Sequence, residues 1–445
     1  MGDQVEVPPY FLCPISLEIM RDPVTLSTGI TYDRESIERW MFSNKTKRKN
    51  DDKIKNVVTC PVTKQALLDT QVDLTPNHTL RRLIQAWCTL NAASGIERFP
   101  TPKPPVEKAD IEKLIEGGAM AAPDSAMLSK LKRMKSLAKE SERNKRCIES
   151  AGAVQFLSSI VMKTSSTRSS SSSSFVDDND NDNGVSIIIS DGVVEACAEE
   201  ALSILYNLEV SETGLKSLIG KNNGEFVGCL VQVLRHGNYR SRTYAALLLK
   251  PVLEVADTNI ITSLGSDVFD ELVTLLSDQV SQQSLKAALK TLILVCPWGR
   301  NRIKAVESGA VSMLIEMLLE SCDRRCGEMI LVVLEQLCGC AEGRAEVVKH
   351  AAGLAAVSKK ILRVSHVGSE RAVRVLWLIS RFSGTQSVVQ EMLQVGVVAK
   401  LCLVLQVECT FKTKEKAKEI LRLHSRVWRN SSCIPSHLLS SYPSS

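Results

Sequence analysis

Phe11-Leu12-Cys13-Pro14-Ile15-Ser16-Leu17-Glu18-Ile19-Met20-Arg21-Asp22-Pro23-Val24 is the most informative run in this chain. It is answered downstream by Gly29-Ile30-Thr31-Tyr32-Asp33, by Trp40, by Cys60-Pro61-Val62-Thr63 and by Thr75-Pro76-Asn77. A zinc-stapled module of this size needs paired cysteines and histidines, because zinc takes four ligands tetrahedrally. Neither Cys13 nor Cys60 has a second cysteine two to four residues away. The loops they sit in must be held by packing and hydrogen bonds. Asp33 is predicted to cap a helix on which Ile37, Trp40 and Met41 fall at i, i+3 and i+4. Thr79 is predicted to cap a second, with Leu80, Leu83, Ile84 and Trp87 on one face. Val24-Thr25-Leu26 and Gln71-Val72-Asp73-Leu74 read as short strands of a small sheet.

The composition places the chain among ordinary globular proteins. It has 445 residues, room for two to four domains, and is 44% hydrophobic and 24% charged. Only 4% is aromatic, so cores must be built from Leu, Val, Ile and Ala, which suits stacked helices. A net charge of +5 with both signs interspersed is too weak to argue for nucleic acid. Fourteen cysteines scatter through apolar helical stretches and read as buried thiols in a reducing compartment. Cys322 and Cys326, and Cys338 and Cys340, are closely spaced, but no histidine or second pair completes a site with them. Residues Met1 to Glu6 have no apolar core for a signal peptide, and Glu6 argues against myristoylation. No run reaches the eighteen apolar residues of a membrane span. A cytoplasmic location, with the nucleus as a second setting, is expected.

The N-terminal domain is expected over residues 6–90 and a Pro-rich linker over 91–110, with Pro100, Pro102, Pro104 and Pro105 stiffening the chain. Between Trp40 and Cys60 lies a basic, aperiodic insertion, Asn44 to Lys55, read as a loop extension that could also steer an acidic partner. From 111 to 429 the chain repeats itself. A small or β-branched residue followed four later by leucine recurs as Ala201/Leu205, Ala245/Leu249, Ala288/Leu292, Ile330/Leu334, Ala372/Leu376 and Ala417/Leu421. The steps are 44, 43, 42, 42 and 45 residues. A second marker, out of phase, is the glycine of Ala151-Gly152-Ala153, Ser308-Gly309-Ala310, Ala352-Gly353-Leu354 and Val395-Gly396-Val397. A period near 43 is the armadillo/HEAT spacing, in which each unit buries its apolar helix only against its neighbours. One step is longer. The stretch 163–191, with six serines (Ser169 to Ser174) and then Asp177-Asp178-Asn179-Asp180-Asn181-Asp182-Asn183, is expected to be a disordered insertion, read first as a plain spacer and second as serines that could accept phosphate. Residues 430–445 read as a flexible tail.

These motifs together resemble the plant U-box armadillo-repeat E3 ubiquitin ligases, the U-box being the zinc-free relative of the RING domain. The match runs through Asp22-Pro23-Val24, Thr31-Tyr32-Asp33-Arg34, Cys60-Pro61-Val62-Thr63 and Thr75-Pro76-Asn77-His78-Thr79-Leu80-Arg81 to Trp87 and Cys88. The insertion after Trp40 is longer than is usual there. The resemblance implies a mostly α chain: a small α+β U-box followed by an α-solenoid. It implies a non-covalent ligase that needs no cofactor and no metal. A ubiquitin-charged conjugating enzyme would dock in a groove where Ile15, Trp40 and Pro61 match the family's anchors and Cys13 an often apolar position. Protein substrate would sit on the repeats. Glu18, Asp22, Asp33, Arg34 and Thr63 are the polar residues available to brace the loops in place of zinc. His78 matches no ligand. Stress or immune signalling in plants and homo-oligomerisation also follow from the resemblance alone. Trp40 has a plainer reading as a core residue, and Cys13 as a packed loop residue. The rival functions are an armadillo scaffold whose U-box only assembles, and a zinc-dependent ligase, which the missing ligand pairs disfavour.

Overall fold

In a computed structural model of the chain, residues 6–46, 58–67, 74–97, 106–116, 124–171, 184–220, 224–278, 281–320, 323–429 and 442–443 are described. Contacts divide the chain into two compact units, Met1–Ala153 with Asn207–Glu209, and the remainder. The first unit opens with β1 (Pro23–Thr25), β2 (Thr31–Asp33), α1 (Arg34–Thr46), β3 (Val58–Thr59), β4 (Ala66–Leu67), β5 (Thr75–Pro76) and α2 (His78–Leu90). Gly29, at φ 80, closes the β1–β2 hairpin with Val24 opposite Tyr32, and β5 adds antiparallel on the other side of β1. Phe11, Met20, Val24, Tyr32, Ile37, Ile84 and Cys88 form one core beneath the sheet.

Both helix caps differ from the sequence expectation. Asp33 ends β2 and turns its Oδ1 to the N–H groups of Arg21 and Asp22, at 2.9 and 3.0 Å, away from α1. The cap of α2 is Asn77, whose Oδ1 accepts the Leu80 N–H at 3.0 Å. Leu83 consequently faces solvent, while Leu80, Ile84, Trp87 and Cys88 make the inner face. The predicted strand at 71–74 lies outside the described residues except for Leu74, and β5 follows it directly. Most of the basic insertion, and residues 98–105 of the Pro-rich segment with its four prolines, also lie outside them.

The first unit continues through α3 (Lys108–Glu116), α4 (Asp124–Glu140) and α5 (Glu142–Ser150). The second unit is helical: α6 (Ala153–Ser171), α7 (Gly184–Asn207), α8 (Glu212–Gly220), α9 (Glu225–His236), α10 (Tyr239–Val255), α11 (Thr258–Thr262), α12 (Ser266–Ser277), α13 (Gln282–Val295), α14 (Gly299–Glu307), α15 (Ala310–Leu319), α16 (Arg324–Leu337), α17 (Ala341–Lys349), α18 (Gly353–Lys360), α19 (His366–Phe382), α20 (Gln386–Gln394), α21 (Val397–Gln406), α22 (Phe411–Leu423) and α23 (Ser425–Trp428). The long helices α10, α13, α16, α19 and α22 pack each on the next. Every residue of the first repeat marker lies buried at these seams or on α7. Ion pairs staple neighbouring repeats: Glu335 of α16 takes Arg371 at 2.7 Å and Arg374 at 2.8 Å from α19, and Lys286 of α13 reaches Asp323, at the head of α16, at 2.8 Å.

The second marker proves to have two physical origins. Gly309 and Gly396 stand at φ 82 and 76 as N-caps, and Gly152 at φ 83, where an L side chain is strained. Gly353 lies inside α18, and a Cβ there would sit 1.9 Å from the Val347 carbonyl oxygen. One glycine is needed for its backbone angle, the other for room. A further repeat feature escaped the sequence reading. Buried Asn144 and Asn301, on α5 and α14, donate to Leu137 O at 3.0 Å and Val295 O at 3.2 Å, closing the ends of α4 and α13.

The helices α6 and α7 reach into the expected insertion from both sides, leaving 172–183 outside the described residues. In the C-terminal tail Tyr442 is buried, and its OH donates to Leu421 O at 2.6 Å, so this point of the tail is anchored on α22. Among the described residues no single helix is long and apolar enough to cross a membrane. Gly309→Ala should cost about 1–2 kcal/mol and Gly309→Asn less, whereas Gly353→Ala and Gly353→Asn should both cost more, because backbone must move. Urea unfolding of the four variants checks the ordering.

Candidate functional site

The two loops on which the fold expectation turned are copies of one structure. Cys13 N–H donates to Glu18 O and Leu17 N–H to Cys13 O, both at 2.8 Å. Cys60 N–H donates to Gln65 O at 2.9 Å and Lys64 N–H to Cys60 O at 3.0 Å. Ser16 Oγ accepts the Glu18 N–H, and Thr63 Oγ1 the Gln65 N–H, each at 3.4 Å. Leu17 and Lys64 both sit at φ 60, a left-handed conformation uncommon for non-glycine residues. Antiparallel pairing flanks both, Leu12 with Ile19 and Thr59 with Ala66. Cys13 therefore corresponds to Cys60, Pro14 to Pro61, Ile15 to Val62 and Leu17 to Lys64. The recurrence of Cys-Pro, a β-branched apolar residue and a hydroxyl residue was a readable signal.

Each loop hangs on strand β2. Cys13 Sγ accepts the Asp33 N–H at 3.3 Å. Cys60 Sγ lies 3.0 Å from Tyr32 OH and 3.5 Å from Thr28 Oγ1, and Tyr32 OH also accepts the Val62 N–H at 3.4 Å. Burial alone would push the Cys60 thiol up, but donors from Thr63, Tyr32 and Thr28 outweigh it and bring its pKa to about 6. Burial and the Cys60 hydrogen bond hold the Tyr32 phenol protonated far above its usual range.

The brace candidates sort themselves by geometry. Asp22 is the hub, taking Arg34 Nε at 2.6 Å on one oxygen and Arg81 Nη1 at 3.3 Å on the other. Asp33 ties Arg21 and Asp22 to β2, and Thr63 works within its own loop and toward Cys60. Glu18 is exposed and braces through its carbonyl, which accepts the Cys13 N–H. Tyr32, Thr28 and Arg81 are braces the sequence reading missed. His78 begins α2 and contacts Arg81.

Of the four predicted groove residues, Ile15, Trp40 and Pro61 are part-exposed. Ile15 and Trp40 both pack on the domain core. The Trp40 indole N–H donates to Thr59 O at 3.1 Å, so this side chain fixes the second loop as well as offering a face to solvent. Cys13 must be removed from the groove, because it is 0% exposed and its sulfur is engaged inside the domain. Leu17 and Val62, 74% and 51% exposed, are the apolar side chains that these loops do turn to solvent. Among the described residues no three His, Cys, Asp or Glu side chains are placed to hold a metal ion.

The Cys60 network gives a pH signature. Its thiol ionises more easily folded, near 6, than unfolded, near an ordinary thiol's 9.0. The stability advantage of the natural protein over Cys60→Ala should therefore be complete above pH 9 and shrink as pH falls through 6, as read by denaturation of residues 1–153 within the full chain.

Residues 7–93 match the U-box domain, and residues 110–444 match the plant U-box protein ARM repeat region. E3 ubiquitin-protein ligase PUB22 of Arabidopsis thaliana is 53% identical over 449 residues, covering 100% of both chains. E3 ubiquitin-protein ligase PUB23 of the same plant is 51% identical over 447 residues, covering 100% of this chain and 98% of that one. A solved structure described as "A conserved phosphorylation switch controls the interaction between cadherin and beta-catenin in vitro and in vivo" shares the fold, with a TM-score of 0.56 at 12% identity over 80% of this chain and 59% of that one. With paired hydrogen-bonded loops in its N-terminal domain and a helical array in the rest, the chain belongs to the plant U-box, armadillo-repeat family of E3 ubiquitin-protein ligases.

Proposed function

We propose that the paired loops and α1 dock a ubiquitin-charged conjugating enzyme, and that the helical array recruits the protein whose lysine attacks the thioester. The observation that carries this reading is the exposure of Ile15, Leu17, Pro61 and Val62 on two loops tied to one strand, next to the part-exposed face of Trp40. Apolar and aromatic anchors of this kind dominate interface energies. A covalent route through this domain is disfavoured by access. Cys60 has a nucleophile's acidity, yet both it and Cys13 are 0% exposed. Transfer then rests on proximity and restriction of the thioester, not on a group of this chain.

The repeat helices α10, α13 and α19 carry exposed or part-exposed side chains such as Tyr244, Lys290, Arg374 and Trp377, which supports a substrate surface on the array. A role in plant stress or immune signalling is proposed from the family likeness. Predominantly buried free thiols support a cytosolic or nuclear setting.

Reconstitution with ubiquitin, activating enzyme and a panel of conjugating enzymes tests the reading. The natural chain should build ubiquitin chains. Ile15→Arg should lower the rate at least about tenfold, equivalent to about 1.4 kcal/mol, with an unchanged circular dichroism spectrum. Trp40→Ala should abolish activity, with partial loss of domain stability through the missing Thr59 bond. No chains with any conjugating enzyme would favour a scaffold.

A further inference from the structure

Counted from the first residue of each apolar pair in the repeats, the side chains one before, two after and five after fall three apart, on one side of a helix. On α10, α13, α16, α19 and α22 all of them except Ala287 are exposed or part-exposed, while Ala246, Leu289, Leu331 and Val373 between them are buried. This open stripe passes from helix to helix in one register. The residue five after on one helix meets the residue one before on the next. Tyr206 and Tyr244 have ring centres 5.9 Å apart, Glu335 and Arg371 are 2.7 Å apart, and the Lys416 ammonium is 3.4 Å from the centre of the Trp377 ring. The charge on the stripe is one-sided. In the whole chain 55 basic residues stand against 50 acidic ones, but here Lys250, Lys290, Arg371, Arg374, Lys416 and Arg422 stand against Glu335 and Glu419 alone. Each of those carboxylates already holds two cations: Glu335 takes Arg371 and Arg374, and Glu419 takes Lys416 at 3.2 Å and Arg381 at 2.8 Å. Lys290 is exposed and has no ion pair among the described residues. The other open places are apolar: Tyr244, Leu247, Ile293, Met329, Val332 and Trp377.

We infer that the stripe from α10 to α19 is a docking surface for an extended, acidic segment of a partner protein, with carboxylates on Lys290 and Arg374 and apolar side chains over Met329, Val332 and Trp377. Charge complementarity selects this occupant: a basic segment would be repelled, and a neutral one would cover cations without pairing them. The repeat spacing sharpens it. Lys290 and Arg374 hold the same repeat position two helices apart, about 20 Å at the usual interaxial distance. An extended chain rises about 3.3 Å per residue and turns alternate side chains to one face. The two carboxylates therefore stand about six residues apart, with an apolar residue between them on the same side. The inference rests on the proposed role of the array in recruiting substrate, and names the class of segment that it takes.

Selection of a random-peptide phage library on the natural full chain tests the class. The selected peptides should be acidic, with carboxylates about six residues apart. Synthetic copies carrying Asn and Gln for Asp and Glu should bind at least about tenfold more weakly, and added salt should weaken the acidic ones. Lys290→Glu should weaken binding about tenfold with an unchanged circular dichroism spectrum, since the side chain is exposed and unpaired. Arg374→Gln, which leaves Glu335 its bond to Arg371, should weaken it too. Lys359→Glu makes the same charge change as Lys290→Glu on exposed α18, off the stripe, and should leave binding as it is. Neutral or basic selected peptides, no selected peptides, or an equal loss in Lys359→Glu overturns the inference. Binding that appears only after deletion of residues 172–183 overturns a partner as the occupant, in favour of the chain's own run from Asp177 to Asp182. A selected peptide fused to a lysine-bearing carrier separates the inference from the array's role, in reactions where the chain itself builds ubiquitin chains. A neutral peptide that directs ubiquitin onto the carrier keeps recruitment by the array and sinks the acidic class. An acidic peptide that binds through Lys290 but never directs ubiquitin keeps the docking surface and sinks its role in recruiting substrate.

Discussion

Tyr32 and Asp33 are neighbours on a three-residue strand, and the whole N-terminal domain is organised around what they hold. The Tyr32 hydroxyl secures the second loop, and the Asp33 N–H and carboxylate secure the first loop and the segment leaving it. A structural zinc site supplies about 10–16 kcal/mol to a small domain. A net hydrogen bond supplies about 1 kcal/mol. The ties on β2 therefore cannot stabilise the domain as a metal would. They select one loop geometry, and the stability comes from the core of Phe11, Met20, Val24, Tyr32, Ile37 and Ile84 beneath. This division explains why Tyr32 belongs to both lists, its ring filling the core and its hydroxyl reaching the loops.

Much of this could be read from the chain before its fold was known. The repeat period of the apolar pairs located the helical seams, because burial at every repeat demands the same residue type at the same step. Other features are invisible to periodicity. Asp33 looked like a helix cap because it precedes α1, but two nearer N–H groups compete for its oxygen. Resemblance puts Cys13 in the groove while its plainer reading is a packed loop residue, and the placement of β2 decides for the second, with the sulfur turned inward. Glu18 sits in the right loop and points out. The glycines of the second marker share a position, yet a sequence cannot say that Gly353 answers to a carbonyl while Gly309 answers to its own torsion.

The array is held differently from the domain before it. Its seams are almost wholly aliphatic, and its polar contacts lie at the edges, where carboxylates such as Glu335 bind two arginines from the next repeat. Pairs whose arginines remain partly in solvent contribute little, about 0–1 kcal/mol each. Their effect is to favour the correct neighbour over a slipped one, since an arginine out of step would meet no partner. Buried Asn144 and Asn301 act similarly by demanding a particular helix end beside them.

The likeness of the two loops ends at their tips. Equal backbones carry Leu17 on one side and Lys64 on the other, with the Lys64 ammonium 6.0 Å from the centre of the Trp40 ring. A visitor spanning both meets a greasy handle and a cationic one mounted on matching frames. Turned end for end, such a visitor would find the same backbone and a different chemistry, so a pseudo-symmetric scaffold can still favour one direction of approach.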